Sequence, residues 1–110
     1  MTILDRIRAA HRPVDRRLGI AVGMPAPTDL LDGIAEILRD AGAAPARRLA
    51  HLRPRPGEAA TRPGDAAYFI ERYGHEYTVI VLAPAHSNDA VAEACTAEGC
   101  ALILTTTLPV

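Results

Sequence analysis

Lysine and tryptophan are absent from this chain, and its aromatic complement is one phenylalanine and three tyrosines. Every basic side chain is therefore arginine, twelve in all against thirteen acidic residues, for a formal charge of -1. Such a balance lacks the basic excess that a nucleic-acid or anionic-membrane surface requires, so neither partner is expected. No run approaches the roughly 18 apolar residues of a membrane span. The opening Met1-Thr2-Ile3-Leu4-Asp5-Arg6 also lacks the apolar core of a signal peptide, which makes a cytoplasmic location the expectation. Cys95 and Cys100 are the sole cysteines. They are too few for a site of paired metal-binding thiols, and free thiols are expected in a reducing compartment. His11, His51, His75 and His86 lie far apart in sequence and lack helical metal spacing. Gly23-Met24-Pro25-Ala26-Pro27 is neither a phosphate-binding loop nor a nucleophile elbow, so no cofactor and no metal are expected.

What is present fits one α+β domain over residues 1–110. Hydrophobic residues make up 49% and charged residues 23%, as in ordinary globular domains. The apolar half contains 21 alanines, so large core side chains are scarce. A domain of this size buries only about two-thirds of its unfolded surface. Self-association would bury more, and a homodimer is expected.

Ile3, Leu4, Ile7 and Ala10 predict a short helix, with Thr2 as its N-cap and Pro13 beyond its end. Leu18, Ile20 and Val22 alternate as a strand. Leu30, Leu31, Ile34, Ile37, Leu38 and Ala41 form one stripe of a helix from Thr28 to Ala41, stopped by Gly42. Residues 43–52 suit either a short helix from Pro45 or an edge strand over Arg47 to Arg53. Pro54, Pro56, Gly57, Pro63 and Gly64 predict a long loop, either a lid carrying Arg55 and Arg62 or an idle insertion. Ala67 to Tyr73 and Glu76 to Leu82 flank Gly74-His75 and predict a type II′ hairpin. In that register Tyr68, Ile70, Tyr77, Val79 and Val81 share one face, and Phe69, Ile80 and Leu82 lie on the other. One helix layer covers one face only, a second reason to expect a partner subunit. Ser87 or Asn88 caps a helix to Glu98, closed by Gly99, and Ala101 to Leu108 gives the last strand. The order predicts a ferredoxin-like sandwich (βαββαβ), two helices on an antiparallel sheet, with an extra N-terminal helix.

The stretch Pro27-Thr28-Asp29-Leu30-Leu31-Asp32-Gly33-Ile34-Ala35-Glu36-Ile37-Leu38-Arg39-Asp40-Ala41-Gly42-Ala43 resembles the first helix of ACT domains. Pro25 and Thr28 stand at that family's acidic and glycine positions. The resemblance implies a dimer with a shared sheet that binds an amino acid or a related metabolite at the first strand-helix loop. The ligand-binding candidates are then Gly23, Met24, Ala26, Thr28 and Leu30, with Arg55 and Arg62 clamping an anionic group from the long loop.

All four aromatics, Tyr68, Phe69, Tyr73 and Tyr77, fall within ten residues, where they either stack a flat ligand or fill a core. If the chain is an enzyme, Tyr68, Arg72, Tyr73, Tyr77 and His86 are its candidate acid, base and orienting groups. Two functions follow. The first is a homodimeric small-molecule-binding or regulatory domain. The alternative is a small cofactor-independent enzyme of the dimeric α+β-barrel type, a cyclase or monooxygenase of secondary metabolism.

Overall fold

A computed structural model describes residues 2–12, 19–23, 28–42, 49–51 and 63–105. Helix α1 spans Ile3–Ala10 and opens on a capping box. The Asp5 amide donates to Thr2 Oγ1 at 3.2 Å, and the Thr2 amide donates to the Asp5 carboxylate at 3.1 Å. Those bonds hold the Asp5 carboxyl below its ordinary range. Strand β1 is Gly19–Val22 and helix α2 is Thr28–Asp40. The stripe of α2 buries Leu30, Ile34, Ile37 and Leu38 at the expected spacing. Strand β2, Leu49–His51, is a strand at the sheet edge within the ambiguous segment, the rest of which lies outside the described residues.

Helix α3 is Pro63–Tyr73, strand β3 is Tyr77–Leu82, helix α4 is Asp89–Glu98 and strand β4 is Ala101–Leu104. Two single-turn 3₁₀ segments, Gly74–Glu76 and Pro84–His86, precede and follow β3. Helix α4 is capped by Asn88, whose side chain accepts from the Val91 amide at 3.0 Å. It ends at Gly99, whose left-handed φ of 72° lets its amide return to the last turn.

The four strands are ordered β2-β1-β3-β4, and all three pairings are parallel. This overturns the ferredoxin-like antiparallel sandwich and, with it, the ACT resemblance. The hairpin is where the expectation failed, because residues 67–73 are helical. Pro63 at the first helical position and Asp65 in the first turn are start signals. Ala66, Ala67, Ile70 and Gly74 then recur at helical spacing and are buried. The aromatics at 68, 69 and 73 favour strands in isolation, but parallel strands β2 and β3 need a crossover, and a helix supplies it.

Strands β1, β3 and β4 alternate between two apolar faces. Ile20, Val22, Val79, Val81 and Ile103 pack with Ile3 and Ile7 of α1 and the stripe of α2. Ala21, Ile80 and Leu82 pack with Ala66, Ala67 and Ile70 of α3 and Val91, Ala94 and Cys95 of α4. The chain therefore covers both faces with its own helices, and the second face that suggested a partner subunit is occupied. This is the doubly wound arrangement. The step from β1 to β2 runs one way across the sheet, and the steps from β2 to β3 to β4 run the other way. Right-handed crossovers accordingly put α2 on one face and α3 and α4 on the opposite one.

Candidate functional site

Reversal of the winding direction beside β1 puts a topological switch point at the carboxyl ends of β1 and β3, where sheets of this kind leave a crevice. There α2 leaves over one face and α4 over the other. Open α/β sheets bind ligands at this topological switch point, because the departing helices diverge and leave room between the strand ends. On the β1 side the first described residue is Gly23, buried, whose amide donates to the Val81 carbonyl at 2.9 Å. The β3 side consists of Ala83, the 3₁₀ turn Pro84–His86, Ser87 and the capping Asn88. That turn packs against α3. Its closing bonds run from the His86 amide to the Ala83 carbonyl at 2.9 Å and from the Ser87 amide to the Pro84 carbonyl at 3.2 Å.

His86 is half-buried, and its Nδ1 is sealed from solvent without a hydrogen-bond partner. A buried polar atom without a partner costs roughly 1–3 kcal/mol, so it marks a place where a ligand or an ordered water improves the balance. An imidazole nitrogen either donates or accepts according to its tautomer, and it also accepts a proton.

The remaining candidates from the sequence do not converge on this crevice. Tyr68 is 59% exposed on α3 with the Arg72 guanidinium 5.7 Å from its ring centroid, an exposed cation-π pair. Tyr73 closes the same helix, and the Phe69 ring lies 5.3 Å from Tyr73 and 5.6 Å from Tyr77. Tyr77 begins β3 and His86 follows its end, so the strand separates them by about 20 Å at roughly 3.3 Å per residue. Tyr73 and Tyr77 thus stand at the amino edge of the sheet, opposite His86. Among the ligand-binding candidates, Gly23 lies at the crevice and Thr28 is the exposed first residue of α2. The Leu30 side chain is fully buried in the core between α1, α2 and the sheet. Met24, Ala26, Arg55 and Arg62 lie outside the described residues, as does the proposed lid over residues 53–62; its last residues, 63–65, begin α3.

Sequence reasoning missed a second buried histidine. His11 follows α1 and is 9% exposed, with Nδ1 at 2.6 Å from Thr78 Oγ1. Thr78 Oγ1 donates its single proton to the Gly19 carbonyl at 3.3 Å, so it accepts from His11 Nδ1–H. Nε2 is then a bare lone pair, buried and without a partner. Burial holds the pKa of this imidazole below its ordinary value and keeps it neutral. His11 and Thr78 stand 67 positions apart, so no local pattern announces the pair.

Cys95 and Cys100 are not joined in a disulfide. Burial, reinforced by Cys100, pushes Cys95 up to about 12, so this thiol stays protonated. No helix among the described residues is long and apolar enough to cross a membrane. The fold defines the class, a doubly wound parallel α/β domain with its switch point between β1 and β3. No family model and no curated protein matches the chain.

Proposed function

We propose that the chain is a small-molecule-binding domain whose ligand occupies the crevice between the carboxyl ends of β1 and β3. The strand order carries this reading, since it puts the reversal of winding, where such sheets bind ligands, between α2 and α4. His86, half-buried just past the end of β3, supports it with a buried Nδ1 that lacks a partner. Both α2 and α4 also begin there, and their N-terminal dipole ends favour a ligand bearing an anionic or acceptor group. Binding without turnover is the role preferred, as a metabolite-responsive module of the cytoplasm, a location that two unbridged thiols suit. A homodimer remains part of the proposal through the scarcity of large core side chains, not through an uncovered sheet face.

Catalysis is the second reading, favoured by one observation. A half-buried imidazole at a ligand crevice is equipped for proton transfer. The α+β-barrel form of that reading needs an antiparallel sheet and has no support here.

The test is a thermal-shift screen of small anionic metabolites, followed by amide chemical-shift mapping of the hits. Hits are expected to move Gly23 and residues 83–88, and His86→Ala is expected to weaken them by about tenfold, the equivalent of one lost polar contact near 1.4 kcal/mol. Hits that map elsewhere, or that bind His86→Ala as tightly as the parent, reject the crevice.

A further inference from the structure

At the opposite edge of the sheet lies a groove of ≈ 430 Å³, within the roughly 300–1,000 Å³ typical of small-ligand sites. Four elements converge on it. Ala10 and Arg12 come from the end of α1, Thr78 from the start of β3, Thr96 from the last turns of α4, and Cys100 and Ala101 from the entry to β4.

Accounting for the protons shows what this wall offers. Thr78 Oγ1 donates to the Gly19 carbonyl at 3.3 Å, and Thr96 Oγ1 donates to the Ala92 carbonyl at 3.0 Å. Cys100 Sγ lies 3.4 Å from both the Gly74 and Tyr77 carbonyls, to which its proton is directed. Each group has thus committed its hydrogen to the backbone; the exposed Thr96 hydroxyl presents its lone pairs to an incoming ligand, and the buried Thr78 oxygen, which already accepts from His11 Nδ1–H, keeps one. The C-terminal ends of α1 and α4 both lie at this groove and add negative dipole ends, which favour a cation. Arg12 is the exception. It is exposed and makes no ion pair among the described residues, and its fork of donors suits a carboxylate.

One pole of the groove therefore takes an anion and the other takes a donor cation. We infer that the groove is a second binding site, distinct from the crevice between β1 and β3, for a small zwitterion of the α-amino-acid class. The carboxylate sits on Arg12, the ammonium faces the hydroxyl oxygens of Thr78 and Thr96, and a short aliphatic side chain lies against Ala10 and Ala101. A ligand carrying one charge alone leaves the other pole unmatched.

The probe is L-alanine, titrated into the 15N-labelled chain and followed by amide shifts, with propionate and ethylamine as one-pole controls. Saturable shifts are expected at Arg12, Thr78, Thr96, Cys100 and Ala101. Each control is expected to bind at least about tenfold more weakly, one decade corresponding to 1.4 kcal/mol. Arg12→Gln is expected to lose the preference for L-alanine over ethylamine, and because Arg12 is exposed this variant folds whether or not the buried Thr78→Val does. Absence of saturable shifts, equal binding of the three probes, or unchanged affinity in Arg12→Gln would each overturn the inference. Shifts confined to Gly23 and residues 83–88 would overturn it while leaving the crevice reading intact.

Discussion

The two faces of the sheet are built from different material. Under α1 and α2 the core cluster holds eleven buried residues, all of them isoleucine, leucine or valine. Under α3 and α4 it holds nine, of which four are alanine and one is cysteine. Hydrophobic stabilisation follows apolar area, at roughly 25 cal/mol per Å², so the first face supplies the larger share per residue. Small side chains on the second face let α3 and α4 pack as the most closely associated pair among the described helices. The difference teaches that one sheet can be anchored on one side by bulk and on the other by proximity.

Three measurements break or sharpen that contrast. Truncating bulk has the largest effect. Ile34→Ala, in the centre of the α2 stripe, is expected to cost about 4 kcal/mol, and Val91→Ala on α4 about 2 kcal/mol, read by urea unfolding. Equal costs would erase the distinction between the faces.

The next effect is a pH dependence that belongs to the first face, because His11 ties the end of α1 to β3 through Thr78. Its folded pKa is depressed below the unfolded value of 6.5 by burial. The folded state therefore binds fewer protons than the unfolded one, and stability is complete above pH 6.5 and declines as pH falls from there towards the depressed value. Unfolding midpoints between pH 8 and pH 5 are expected to fall less in His11→Gln than in the parent. Parallel profiles would show that the imidazole is not the group responsible.

The smallest effect lies on the outer surface of α3, where Arg72 covers the Tyr68 ring. A double-mutant cycle through Tyr68→Ala and Arg72→Ala is expected to give a coupling of about 0.5 kcal/mol, as for exposed cation-π pairs. A coupling above about 2 kcal/mol would mean that this face is covered rather than open.

The same contrast explains what could be read from the residues alone. On the first face, α1 and α2 were legible because large aliphatics recur at a period that only a helix gathers into a stripe. On the second face, the buried positions of α3 are Ala66, Ala67 and Ile70. Two alanines mark no stripe, while Tyr68, Phe69 and Tyr73 supply a strong but misleading strand signal. Once that helix was read as a strand, Gly74-His75 became a hairpin turn and the sheet became antiparallel. The apolar residues on both faces of β3 pointed to cover from a partner subunit, whereas the chain's own helices supply it, and a buried parallel strand has that pattern. Of the sites, Gly23 and His86 were named from the sequence and flank the crevice, but their adjacency follows from strand order, which the chain writes nowhere locally. The amino-edge groove joins residues from α1, β3, α4 and β4, and only the assembled sheet brings them together.

Placing β1 between β2 and β3 also sets an order of assembly in time. In the β3-α4-β4 unit, Val79 pairs with Ala101, and the intervening chain is short and carries helix α4. The central ladder instead joins Ile20 to Val79 across more than twice that length, including α2, β2 and α3. By loop-closure entropy alone the longer circuit costs about 0.9 kcal/mol more, before the ordering of the segments within it is added. On that ground the C-terminal half is expected to condense first, with β1 joining a surface already formed. Both edges of the central ladder, with the crevice above and the groove below, come into being only at that closing step, so ligand binding at either would report the last event of folding.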